Sequence, residues 1–321
     1  MKKCLIILFL LLFPISVFAY SDFLVVGGET IGIEVHSNGV YIVGFYPVNG
    51  ENIGKNSGLE VGDIIKKVND IEIHNIEELN DVLMNSNHFH LNVQRGKDSI
   101  DFNHHPIYEN NILKTGLYVE DQIHGIGTLS YIDPNTKIFG SLGHEIIESS
   151  SFSKFQINSG NIYKAEVSSI SKSESGRAGS KNAVIEKNEV IGDIEKNEEE
   201  GIFGFYTDDI SNQKLTSVGD KFDIHKGKAF IRTNIIDNKI EDFSINIISI
   251  DEESYNKNIF FEITDKKLLK NSGGIVQGMS GSPILQDNKI IGVVNYVLVE
   301  DPIKGYGIFI TTMLEEGDKI K

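Results

Sequence analysis

The chain has 321 residues, a formal charge of −16 and no tryptophan. That length suffices for two domains, each with a core of its own. The acidic balance argues against a surface that holds nucleic-acid phosphates, so no nucleic-acid partner is expected.

Lys2 and Lys3 precede an apolar run from Cys4 to Ala19, and Val17-Phe18-Ala19 places small residues as an export cleavage site does. The run is short for a membrane-spanning helix and contains Pro14. Residues 1–19 are therefore expected to be a cleaved signal peptide or, alternatively, an uncleaved membrane anchor. Cys4 is the sole cysteine and lies inside this segment. The exported part then has neither a disulfide nor a thiol nucleophile. No Cys/His zinc spacing occurs, and His104-His105 is adjacent rather than one helical turn apart. Neither a metal nor a cofactor is expected.

Residues 24–105 read as a small β-rich domain. Ile31-Gly32-Ile33-Glu34-Val35 alternates as a strand, and residues 40–45 form a second. Ser57-Gly58-Leu59 opens a turn and Gly62-Asp63 makes another. Ile64, Ile65 and Val68 then lead a strand into Asn69-Asp70. Ile76, Leu79, Val82 and Leu83 recur as on an amphipathic helix, and residues 90–95 alternate as a last strand. The run Ser57-Gly58-Leu59, Val61-Gly62-Asp63-Ile64-Ile65, Val68-Asn69 resembles a PDZ domain. That resemblance implies binding of an extended peptide by strand addition, with the chain end held at a loop placed at Thr30, Ile31, Gly32 and Ile33. The alternative is a domain that only packs against its neighbour. The histidines at 36, 74, 88, 90, 104 and 105 are expected to be structural or solvated.

Residues 112–321 contain strand-like runs at 116–119, 125–132, 165–170, 228–233 and 243–250, the pattern of a barrel or sandwich. Residues 196–200 read as an acidic solvated loop, and residues 213–221 as a connecting loop. Gly278-Met279-Ser280-Gly281-Ser282-Pro283 sets a serine between glycines, followed by a hairpin over Ile284-Leu285 and residues 289–294. Flanking glycines let the chain turn tightly, and the amides of Gly278 and Ser280 can then face one point as an oxyanion hole. A serine nucleophile needs a base. His124 and His225 lie in turns, whereas His144 follows a strand and Gly143. Ser282 is a weaker candidate nucleophile.

Three stretches together resemble the SpoIVB peptidases. They are Gly125-Ile126-Gly127-Thr128-Leu129, Leu142-Gly143-His144 and the run from Gly273 to Ile284. The resemblance implies a mainly β protein, with a small PDZ domain followed by a trypsin-like double β-barrel. It implies His144 as general base, Ser280 as nucleophile and Asp265 as the orienting acid, with Asp208 and Asp209 as fallback acids. Read locally, Asp265 is instead the N-cap of a short helix. The chain departs from the family at Asn295-Tyr296, where a Thr-His pair is frequent, and at Ala178-Gly179-Ser180. The implied activity is that of a sporulation serine endopeptidase that cleaves itself and a membrane-anchored regulator, triggering sigma-factor processing. Its implied place is the space between forespore and mother-cell membranes, and its partners are that substrate and other copies of itself. The reading from another class is a PDZ scaffold whose peptidase fold only binds.

Overall fold

The computed structural model describes residues 20–85, 89–235 and 239–320. The expected signal or anchor at 1–19, and His88, lie outside the described residues. Among the described residues no helix is long and apolar enough to cross a membrane.

The chain opens with β1 (Phe23–Val26) and β2 (Thr30–Phe45). A short helix, Ile53–Asn56, leads to β3 (Ile64–Val68) and β4 (Ile71–Glu72). The helix Ile76–Met84 separates these from β5 (Phe89–Arg95) and β6 (Asp98–His104). A two-stranded hairpin, β7 (Ile107–Glu109) with β8 (Ile112–Lys114), feeds β9 (Leu117–Ile132). Then come β10 (Ile138–Ser141), the small hairpin β11 (Ile147–Glu148) and β12 (Ser153–Lys154), β13 (Ile157–Ser171), β14 (Gly179–Glu198) and β15 (Gly201–Tyr206). The remainder is β16 (Leu215–Val218), β17 (Gly227–Asn234), β18 (Ile240–Ile250), β19 (Ile259–Ile263), the helix Lys266–Ser272, β20 (Val276–Gln277), β21 (Pro283–Gln286), β22 (Lys289–Val297), β23 (Lys304–Phe309) and the helix Ile310–Gly317.

Strand pairing closes two barrels. In the first, β2 pairs with β9, β9 with β10, β10 with β15, β15 with β14, β14 with β13, and β13 returns to β2. In the second, β17 pairs with β18, then β19, β23, β22 and β21 follow, and β21 returns to β17. Every one of these pairings is antiparallel, so each barrel is a six-stranded closed sheet with no free edge. Ile31, Leu129, Phe139, Ile162 and Ile202 fill the first core. Phe243, Phe261, Ile284 and Val294 fill the second. A third cluster joins the barrels, where Met313 and Leu314 of the last helix meet Tyr131, Phe203 and Ile308. Two short parallel pairings, β14 with β20 and β16 with β22, also tie the halves together.

The small domain is not separate in chain from the first barrel. β2 and β9 each run 16 residues. Residues 30–36 of β2 pair with residues 122–128 of β9 inside the barrel, and residues 41–45 pair with 117–120 in the small domain. The register breaks between His36 and Tyr41, where Gly39 takes a φ of +112°. The two strands expected at 31–35 and 40–45 are thus one bent strand, as are those at 116–119 and 125–132. β3, β5 and β6 complete the small sheet, and Leu79 and Leu83 of the helix Ile76–Met84 cover a core with Val40, Leu91 and Val93. Asp63 is fully buried and locks this sheet: Arg95 Nε and Nη2 donate to its two oxygens at 2.7 and 2.8 Å, and the Glu60 amide at 2.8 Å. Such a two-pronged pair satisfies a carboxylate that would be costly to bury alone.

Candidate active site

Ser280 sits on the turn between β20 and β21. Gly278 and Gly281 take φ of +92° and +96°, a region that favours glycine. A Cβ on Gly281 would lie 2.0 Å from the Thr128 carbonyl oxygen, so no larger residue fits there. The first barrel wall fastens this loop of the second barrel. The Thr128 amide donates to the Ser280 carbonyl at 2.9 Å, Thr128 Oγ1 to the Gly278 carbonyl at 2.7 Å, and Ser130 Oγ to the Gly281 carbonyl at 2.8 Å.

His144 follows β10 through two left-handed residues, Leu142 and Gly143, each with φ of +70°. Its Nδ1 lies 2.8 Å from the Glu145 carbonyl oxygen. A carbonyl only accepts, so Nδ1 carries the proton and Nε2 keeps its lone pair. Burial pushes the ring's pKa down, against the raising effect of that carbonyl, and favours the neutral form. The Tyr296 ring stacks on the imidazole at 6.1 Å between centroids. The departure from the family at 295–296 therefore lies directly against the base. Asn295 packs against Gly143, and its buried Oδ1 has no hydrogen-bond partner among the described residues.

Ser280 and His144 line one cavity of about 490 Å³ at the seam of the barrels. The Ser280 hydroxyl donates to the Asn295 carbonyl at 3.5 Å, and His144 is not among its hydrogen-bond partners. Proton transfer requires the two to close to hydrogen-bond distance.

Asp265 does not join them. Its Oδ1 accepts from the Lys267 and Leu268 amides at 2.9 and 3.0 Å, and its Oδ2 from the Ser244 amide at 3.4 Å. It is the N-cap of the helix Lys266–Ser272, with all of these partners in the second barrel. The local reading of this residue holds, and the role implied by the resemblance is not what its contacts support. The fallback acids have other partners: Asp209 binds Ser211, and the Asp208 carboxylate lies 3.8 Å from Lys164 Nζ while its carbonyl accepts from Lys137 Nζ at 2.9 Å. Ser282 is fully buried, 3.5 Å from Thr128 Oγ1, and does not face the cavity.

The loop expected to take a peptide end, Thr30 to Ile33, is a barrel strand. Thr30 gives its amide and hydroxyl to Asn234 Oδ1 at 3.0 and 2.7 Å. Ile31, Gly32 and Ile33 are paired with β9 on one side and with β13 on the other. No backbone edge is left there for an added strand.

Two features escaped the sequence reading. Lys181 is buried, with Nζ 2.9 Å from Thr233 Oγ1, 3.0 Å from Thr30 Oγ1 and 3.4 Å from Thr128 Oγ1. Burial pushes its pKa down to about 7. The second is residues 196–200, the end of β14 and the turn after it, which read as a solvated loop in the sequence. Glu200 is buried and accepts from the Tyr255 hydroxyl. Asn197 accepts from the Ile146 amide at 2.7 Å and donates to the Ile146 carbonyl at 2.9 Å. A Cβ on Gly201 would lie 2.5 Å from the Ser141 carbonyl oxygen. This acidic turn thus grips the segment that carries His144 from both sides.

Two closed antiparallel barrels, with a serine and a histidine lining one cavity at their seam, define a serine endopeptidase of trypsin-like architecture. The model of the family described as SpoIVB peptidase S55 matches residues 111–314, and the chain belongs to that family. Among solved structures it is similar to the active form of the Rv3671c protease from M. tuberculosis, with 12% identity over 59% of this chain and 71% of that one, at a TM-score of 0.32. Human heparin binding protein is similar at 9% identity over 61% of this chain and 84% of that one, also at 0.32. Likeness at that level adds nothing to the fold, which rests on the strand pairing. No curated protein matches.

Proposed function

We propose that this peptidase uses His144 as general base and Ser280 as nucleophile, and that it acts during spore formation. Ser280 attacks a peptide carbonyl as His144 Nε2 takes its proton, and His144 returns that proton to the leaving amine. The amides of Gly278 and Ser280 stabilise the oxyanion. The observation that carries this reading is the shared cavity, with Nε2 left unprotonated by the Glu145 carbonyl.

The substrate in this reading is a membrane-anchored regulator of sigma-factor processing, met after export in the space between forespore and mother-cell membranes. The enzyme also cleaves itself. Family membership supports both statements. The small domain holds a peptide segment of the substrate or of another copy. A cavity of about 440 Å³ supports that role, with Leu79 and Leu83 of the helix on one wall and Leu117 and Val119 of β9 on the other.

Reaction with a fluorophosphonate tests the chemistry. Labelling and peptide cleavage should both vanish in Ser280→Ala, and His144→Ala should lose roughly six orders of magnitude in rate. Cleavage that survives Ser280→Ala overturns the assignment. A folded protein that never labels favours a binding-only peptidase fold, a reading to which the engagement of Asp265 as a helix cap lends support.

A further inference from the structure

The walls of the cavity at Ser280 and His144 are aliphatic. Ile33, Ile123, Ile126, Leu142, Ile146 and Ile147 line it, and glycine backbone completes the floor. Ile33 and Leu142 are buried and pack so closely on Gly127 that a Cβ there would meet Leu142 Cδ2 at 2.4 Å and Ile33 Cδ1 at 3.0 Å. That part of the wall is closely packed. Ile147 stands at the mouth, 45% exposed. The volume of about 490 Å³ exceeds what one side chain needs, so the reacting peptide and a large apolar side chain fit together.

The polar side chains on this wall include one carboxylate, Glu145. Burial, then the charge of Glu199, pushes its pKa up, with smaller contributions from Glu198 and Glu200 against the pull of Lys154. These acids belong to the turn that grips the His144 segment. An incoming Asp or Glu would lose its hydration and meet like charge, two costs in the same direction. A leucine or isoleucine would meet apolar wall and gain by leaving water.

Resting on the peptidase reading above, the geometry points to a cleavage specificity: the enzyme takes a large aliphatic side chain next to the scissile bond and excludes acidic residues there. The substrate class is a peptide segment with Leu, Ile, Val or Met flanking the cut and no Asp or Glu adjacent to it.

A positional library of synthetic peptides, cleaved by the full exported chain, reads this directly. The expected profile favours Leu or Ile over Ala by tenfold or more in kcat/KM at one position beside the cut. Asp and Glu should be the poorest residues there. Ile147→Asp places a charge at the exposed mouth, where folding tolerates it, and should lower kcat/KM for the leucine peptide at least tenfold. Glu145→Gln should narrow the gap between acidic and neutral peptides while keeping the aliphatic preference. A profile that is flat, or that favours charged residues, from an enzyme that still labels at Ser280 overturns the specificity alone. Absence of any Ser280-dependent cleavage or labelling overturns the peptidase reading and the specificity with it.

Discussion

Thr128 Oγ1 donates to the Gly278 carbonyl at 2.7 Å, so a side chain of the first barrel fixes the peptide unit that leads into the nucleophile of the second. The same hydroxyl lies 3.4 Å from the Lys181 ammonium and 3.5 Å from Ser282 Oγ. Around the nucleophile loop the two barrels meet through hydroxyl hydrogen bonds. Thr128→Val keeps the shape and removes the hydroxyl. A buried carbonyl then loses its donor, which costs about 1–3 kcal/mol. We expect the thermal midpoint to fall modestly while kcat falls about tenfold or more and KM changes little, because the loop misplaces its amides. Steady-state kinetics beside a melting curve check both.

Lys181 extends the same network and predicts a pH dependence. It has three threonine hydroxyls as partners and, among the described residues, no carboxylate. Its pKa is 10.5 when free and about 7 in the fold, lowered by burial. Between those values the unfolded chain binds more protons than the folded one, so stability rises with pH across that window. Below pH 7 the lysine is charged in both states and its burial cost is fully present. Lys181→Met should be more stable than the parent at neutral pH and should lack this rise. Denaturant titrations at several pH values, compared as differences between the two proteins, isolate the effect.

Asp265→Ala separates the two roles considered for that residue. As the N-cap of the helix Lys266–Ser272 it satisfies two amides, and its loss should cost about 1 kcal/mol. Peptidase activity should stay within a few fold of the parent below the melting range. An orienting acid would instead cost about 10⁴ in kcat. Activity assays well below the midpoint distinguish these outcomes.

How far the sequence exposes the site depends on how local the signal is. Gly278 and Gly281 are legible because their backbone angles and close approaches admit little else. His144 is legible because Gly143 announces the tight turn before it. Asp265 misleads because the order His, Asp, Ser constrains nothing in space, while a capping geometry is written in the residues that follow it. Thr30 to Ile33 misleads for another reason. A strand that begins in one domain and ends in another shows the same alternation throughout, and only long-range pairing with β9 and β13 tells the halves apart. β14 escapes because its exposed stretch mixes polar residues with exposed Val184 and Val190 and shows no clean alternation, and the burial of Glu200 goes with a tertiary contact to Tyr255.

His104 carries the last prediction, which concerns the small domain. The ring is 1% exposed, with Nε2 2.8 Å from the Thr115 carbonyl oxygen and Nδ1 2.9 Å from Ser57 Oγ. It thus ties β6 to the end of the first short helix and to the approach to β9. Burial lowers its pKa from 6.5 to about 4. Between these values the unfolded chain takes up a proton that the folded ring refuses, so stability falls as the pH drops through that window. The loss is complete below about 4, and its size is on the order of 3 kcal/mol. His104→Gln keeps a donor for the Thr115 carbonyl and removes the titration. Relative to the parent, the variant should lose ground at neutral pH and regain it by pH 4. Hydrogen exchange of the β5 and β6 amides, followed between pH 7 and pH 4, would register the crossover where it arises, and parallel curves for the two proteins would rule the mechanism out.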